Sequence, residues 1–319
     1  MKAIRFDQFG GPEQLVLRDV PTPHCGPHDV LIDVHAASVT PGDWKLRAGL
    51  LQSVFPVSLP CIPGRDGAGI IIQIGDQVDY AQVGDAVCFV ADRVQQGSYA
   101  SRIVRAADHI APMPTGFSYA EAAALVHAAM CAWIMLVEYA RIRPGQHVLV
   151  QAGSGAVGGM AIQLARHIGA TVTTTCRATN AEYVRELGAH HVIAYDQENF
   201  AEGFGNMDVV LDLIGGEVRE QSRRALKPDG ILVWLVGLPV APRVSKDGVN
   251  QHEVQAVIHD RVEVLQAVTQ LANQGVLQPQ ISAVLPLDQA ANAHARVQSG
   301  QHGRGRIILD IHGCAHDIP

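Results

Sequence analysis

His147-Val-Leu-Val-Gln-Ala-Gly-Ser-Gly-Ala-Val-Gly158 decides how this 319-residue chain is read. The stretch opens as an apolar run of strand type, and Gly153, Gly155 and Gly158 then fit G-x-G-x-x-G where a helix must begin. In that setting the glycines allow a tight turn and let a pyrophosphate approach the helix N-terminus, so the stretch predicts a dinucleotide site. Its cradle is Gly153, Ser154, Gly155, Ala156, Val157 and Gly158. A glycine turn of purely structural use is the plain alternative, and the strand–loop–helix context counts against it.

Downstream the pattern alternates. A helix over 158–168 ends at Gly169, strand 171–175 follows, Asn180 can cap a helix that stops at Gly188, and strand 191–194 comes next. Strand 208–212, helix 217–226 and strand 231–236 complete the series. Strand, helix, strand at this pace means right-handed crossovers and a parallel sheet. An NAD-specific unit of this kind ends its second strand on Asp or Glu, which holds the ribose 2′-hydroxyl. Here that place reads Thr175-Cys176-Arg177-Ala-Thr179-Asn180, with no acid before Glu182. Arg177 can instead form charge-assisted bonds to a 2′-phosphate, with Thr179 and Asn180 as neutral donors, so the expected cofactor is NADP(H).

Upstream, residues 1–115 read as short strands over 3–6, 14–19, 30–36, 69–75, 86–90 and 98–104, broken by glycine and proline. Such spacing predicts a curled antiparallel sheet or partial barrel. Ser118-Tyr-Ala-Glu121 has the form of a capping box opening an Ala-rich helix toward Tyr139. The C-terminal part reads as helix 260–273, strand 280–285, helix 287–299 and strand 306–311.

Thirty-one acids against 24 Lys and Arg, a formal charge of −7, argue against a nucleic-acid partner. The first twenty residues lack the apolar centre of a signal peptide, and no uninterrupted run of eighteen apolar residues marks a membrane span. Six cysteines without a Cys-x-x-Cys pair fit a reduced, cytoplasmic protein. Of the fifteen histidines, His312 and His316 flank Cys314 in a terminal tail, which reads as a place for adventitious metal capture and not as a built site.

Several blocks resemble the quinone oxidoreductase (zeta-crystallin-like), zinc-independent branch of the medium-chain dehydrogenase/reductase superfamily. They are Ala36-Ala-Ser-Val-Thr-Pro-Gly-Asp-Trp-Lys45, Ile62-Pro-Gly-Arg-Asp-Gly-Ala-Gly69, Val83-Gly-Asp-Ala-Val87, Gly97-Ser-Tyr-Ala100 and Pro144 to Gly158. Glu186-Leu-Gly-Ala189, Asp212-Leu-Ile-Gly-Gly216 and Gly303-Arg-Gly-Arg-Ile-Ile-Leu309 continue them in the family's order.

The resemblance implies an α/β chain with a GroES-like partial β-barrel catalytic domain, residues 1–129 and 256–319, and a Rossmann cofactor domain, residues 130–255, with the nicotinamide in a cleft. Beyond the glycine loop and Arg177 it implies cofactor contacts at Cys176, Tyr195, Leu213, Ile214, Val236, Gly237, Leu238 and Arg304. Thr40 and Cys131 would line the nicotinamide side, where relatives usually carry Asn and Thr. Thr40, Trp44 and His127 would face the substrate, Arg65 and Asp66 would pair structurally, and His127 is the candidate proton donor.

In the superfamily's zinc enzymes the catalytic ligands fall where this chain has Thr40, Arg65 and His127; one ligand type in three cannot hold zinc, so no metal is expected. The reading is an NADPH-dependent reductase of quinones or α,β-unsaturated carbonyl compounds, small-molecule substrates; the resemblance implies a homodimer, and the run 231–240 is apolar enough for its edge, though a buried core strand would look the same. The rival is a non-catalytic NADP-binding protein, crystallin-like or redox-sensing, because a fold does not itself establish an activity.

Overall fold

Two strands that pair at the very start of the chain, β1 (Lys2–Arg5) and β2 (Val16–Asp19), open the first of two compact units in the computed structural model. The structure describes residues 1–91, 96–198, 205–235, 252–259, 261–301 and 303–313. Val236, Gly237, Leu238, Cys314 and His316 therefore lie outside the described residues, as does most of the apolar run 231–240. The first unit comprises Met1–His127, His259–Gln274 and Pro279–Pro319, and the second Ala128–Ile258 and Gly275–Gln278.

The chain continues through β3 (Asp29–Val39), the short helix α1 (Pro41–Arg47), β4 (Asp66–Ile74), β5 (Ala86–Val90), β6 (Arg102–Ala106) and β7 (Ile110–Pro112). Helix α2 (Tyr119–Trp133) runs on into a π-helical turn, Ile134–Tyr139. Ser118 opens it as expected: the Glu121 carboxylate accepts from the Ser118 backbone N–H and hydroxyl at 2.8 Å, and the Glu121 N–H returns to Ser118 Oγ at 3.3 Å. Together Tyr119–Tyr139 is long and apolar enough to cross a bilayer, although it holds no uninterrupted run of eighteen apolar residues. Burial of 78% of its most apolar 18-residue window inside the protein is that of a core helix.

The second unit follows as β8 (His147–Val150), α3 (Ala156–Ile168), β9 (Thr171–Cys176), α4 (Ala181–Glu186), β10 (His191–Ala194), β11 (Met207–Asp212), α5 (Gly216–Ala225), β12 (Leu226–Trp234) and β13 (His252–Gln255). The strands lie in the order β10-β9-β8-β11-β12-β13, and every neighbouring pair is parallel. Val148, Leu149, Val150, Val209, Val210, Leu211, Leu232 and Val233 are at most 1% exposed, the burial a parallel sheet covered on both faces demands.

Two local expectations fail. Asn180 makes no side-chain cap bond, because a 3-10 turn over Ala178–Asn180 leads into α4 instead. β12 begins at Leu226, five residues before the sequence pattern announces it, since parallel pairing to β11 starts at Met207 opposite Leu226 and absorbs Lys227-Pro-Asp-Gly230 through an irregularity in register.

α6 (Val262–Asn273), β14 (Ile281–Pro286), α7 (Ala290–Gln298) and β15 (Arg306–Asp310) return to the first unit. Its main sheet runs β14-β15-β3-β4-β5-β7, with β6 pairing the first half of β3. All pairs are antiparallel except β14 with β15. The C-terminal strand thus lies beside the long strand β3, with Ile307, Leu309, Ile32, Ile71, Phe89 and the inward residues of α7 in one core.

Candidate functional site

The glycine loop connects β8 to α3, and its shape is set by contacts as well as by chirality. A Cβ on Gly153 would lie 2.0 Å from Thr174 Oγ1, and one on Gly158 would lie 2.2 Å from the carbonyl oxygen of Ala152. Both positions therefore require glycine. At Gly155 a Cβ would meet only Ala152 O, at 3.3 Å. Gly155 is the N-cap of α3, with no side-chain cap bond and no acid in the first turn. The first N–H groups of a helix have no partner within it, so an N-terminus without side-chain cap or acid is the kind of end that binds an anion such as a phosphate.

Thr175 on β9 holds the loop's approach. Its backbone carbonyl accepts from Gly153 N at 2.9 Å and its hydroxyl accepts from Ala152 N at 3.1 Å. That hydroxyl donates in turn to Gln151 Oε1 at 2.6 Å, and Gln151 Nε2 donates to Ser222 Oγ at 2.9 Å. Ala152 sits at φ +57°, the left-handed region, where a non-glycine residue is uncommon.

β9 ends on buried Cys176, and Arg177 follows on the surface. Arg177 Nε donates to Tyr195 Oη at 3.2 Å, so two residues expected at the cofactor meet here. Thr179 and Asn180 stand in the 3-10 turn directly after Arg177. Sequence reasoning passed over Asp196, whose Oδ1 accepts from Ala178 N at 2.8 Å. It comes from the turn after β10, a place no spacing rule ties to the second strand.

At the end of β11, Asp212 is fully buried and accepts from Ile214 N at 2.9 Å and Gly215 N at 2.7 Å. Its other oxygen pairs with Arg219 Nε at 2.5 Å, and the Arg219 guanidinium lies over the Trp234 ring at 4.0 Å. The carboxylate thus shapes the loop that presents Leu213 and Ile214, the latter 42% exposed.

In the first unit, Thr40 and Asp43 form a capping box at the start of α1, Asp43 Oδ2 accepting from Thr40 N at 2.7 Å. The same Oδ2 accepts from Tyr99 Oη at 3.2 Å, and His294 Nε2 lies 3.3 Å from that hydroxyl. With Tyr99 donating to Asp43, His294 donates to Tyr99, and a buried chain runs from α7 to the residue expected beside the nicotinamide. Burial pushes the His294 pKa down to about 3 and holds it neutral. Burial first, and Asp43 second, push Tyr99 up and keep its proton.

Thr40, Arg65 and His127 are all buried. Arg65 Nη1 donates to Ala91 O at 2.6 Å. Asp66 accepts from Ser38 Oγ at 2.6 Å; burial raises its pKa to about 6, opposed chiefly by Arg306. Trp44 is half-buried, with Lys45 Nζ 5.7 Å from its ring centre. Cys131 is buried in α2, and Arg304 is exposed between Gly303 and Gly305, both at positive φ.

An alcohol dehydrogenase GroES-like domain model matches residues 26–136, and a zinc-binding dehydrogenase model matches residues 187–309. The quinone oxidoreductase of Mus musculus is 31% identical, with 97% of each chain covered. The solved quinone oxidoreductase from Coxiella burnetii is 33% identical, with a TM-score of 0.85 over 98% of this chain and 99% of that one. A cobalt- and zinc-bound thermostable alcohol dehydrogenase from Pyrobaculum aerophilum shares the fold at 27% identity and a TM-score of 0.86, covering 98% and 99%. The chain belongs to the medium-chain dehydrogenase/reductase superfamily, oxidoreductases that bind a nicotinamide cofactor. Within it, quinone oxidoreductases are among the relatives that match this chain almost end to end.

Proposed function

We propose that this protein is an NADPH-dependent reductase of quinones or other α,β-unsaturated carbonyl compounds that works without zinc. The observation that carries the cofactor choice is the Arg177–Tyr195 pair at the end of β9, where an NAD enzyme carries an acid. The glycine loop and the N-terminus of α3 would hold the pyrophosphate, Arg177 and Tyr195 the 2′-phosphate, and the Leu213–Ile214 loop the more distal part of the dinucleotide. When bound, the cofactor supplies the hydride from nicotinamide C4.

Thr40 in its capping box is the fixed point of the first unit's contribution, and Trp44 walls the substrate. His127 is assigned the proton that the enolate takes up. A threonine hydroxyl and an always-charged guanidinium, beside one imidazole, do not make a zinc ligand set, so the zinc-binding description of the matched family does not carry over to these positions. A homodimer and a cytoplasmic location belong to the same proposal. NADPH oxidation against a panel of quinones, enones and acrylates tests it. Turnover on at least one class, unchanged after prolonged chelation, is the expected result; tight NADPH binding without turnover on any member would favour a non-catalytic binding protein.

A further inference from the structure

We propose that Asp33, His35 and His312 form a site for a divalent transition-metal ion, zinc by preference, that fastens the C-terminal turn to β3. Asp33 and His35 stand two apart on β3, at a point where its pairing to β4 is irregular, and the contact between their side chains puts them on one face. β15 runs antiparallel beside them, Asp310 opposite Ala36, and Ile311 N donates to His35 O at 3.0 Å. There the strand stops. Asp310 Oδ1 accepts from His312 N at 3.2 Å and Gly313 N at 3.1 Å, and Gly313 takes φ +68°. This turn breaks the strand alternation and carries the His312 ring to the pair on β3.

His312 Nε2 lies 3.1 Å from Asp33 Oδ2, and His35 Nε2 lies 3.6 Å from the same oxygen. One ligand atom from each residue falls within 4.8 Å of the others. Ligands of a tetrahedral zinc at bond lengths of about 2.0–2.1 Å stand about 3.3 Å apart, so the three need only a small closure to share an ion. Two imidazoles and a carboxylate suit zinc, cobalt or nickel, whereas magnesium and calcium prefer oxygen-only sets.

The rings are already oriented. His35 stacks on Tyr119 at 4.3 Å and 28°, and His312 meets it edge-on at 5.0 Å and 70°. All three residues belong to the first unit, none is assigned to cofactor or substrate, and the sequence had grouped His312 with the tail alone.

The test uses the full chain after chelation. Cobalt(II) titration should show one equivalent with visible d–d bands, and zinc should compete for it. Asp33→Asn and His35→Ala, each checked for an unchanged metal-free circular dichroism spectrum, should weaken binding by at least about tenfold. Zinc should also slow amide exchange over residues 306–313 in the wild type and not in the variants. No stoichiometric uptake by the wild type would overturn the proposal. Uptake unchanged in both variants would overturn it as well, and would assign the metal to the tail.

Discussion

Arg177 owes its weight to where it stands. The glycine fingerprint fixes the end of the second strand, and the strand's register then delivers the guanidinium to Tyr195. Loss of a bidentate charge-assisted contact is worth about 1.5–3 kcal/mol, so Arg177→Ala should weaken NADPH binding by about one to two orders of magnitude and leave NADH binding nearly unchanged, as titration calorimetry with each dinucleotide would show. A smaller loss shared with Tyr195→Phe would move the phosphate toward the tyrosine. His127→Leu should lower kcat at saturating cofactor; an unaltered kcat would leave the proton to solvent. These residues were legible because a motif or a family block numbers them. Asp43 and Tyr99 also stand in family blocks, but their link to His294 was not legible: the chain joins α1 to a helix some 250 residues later, and only folding brings that histidine to it.

At the scale of elements, the strand–loop–helix unit from β8 to α3 could be read directly, because apolar run, glycines and helix each leave their own signature. Its prediction is correspondingly sharp. Gly158→Ala drives a methyl group into the carbonyl of Ala152, backbone that cannot move without opening the turn. We expect dinucleotide affinity to fall at least about tenfold and the melting temperature by several degrees, measured by titration and calorimetry; a wild-type affinity would show that the loop is not the cradle. Asp212→Asn should also be costly, by about 3–5 kcal/mol in chemical denaturation, because it leaves the Arg219 charge without its buried partner. The early start of β12 was illegible, since Pro228 and Gly230 read as a turn when pairing to a neighbouring strand is not visible.

For the whole molecule, the alternating second half announced a parallel sheet by its rhythm, whereas assigning the first and last segments to one unit needed the family resemblance. Strand pairing across most of the chain's length, as between β3 and β15, leaves no local mark. Two buried groups in that unit oppose each other in acid. His294 is neutral when folded and charges on unfolding, so its contribution is complete above pH 6.5 and is lost as pH falls toward its folded value of about 3. Asp66, raised to about 6, acts in the opposite sense, favouring the fold below its unfolded value near 3.8 and less so as pH rises through 6. His294→Gln should therefore lose about 2 kcal/mol less stability than the wild type between pH 7 and pH 5, as denaturant melts at the two pH values would reveal.

The central claim is a reductase that takes NADPH and needs no zinc. Its most direct measurement is the ratio of kcat/KM for NADPH to that for NADH, taken on chelated protein with one quinone and one enone as acceptors. A ratio of at least about ten, collapsing toward one in Arg177→Ala, is what the end of β9 predicts. A wild-type preference for NADH, or activity that chelation abolishes and zinc restores, would contradict it.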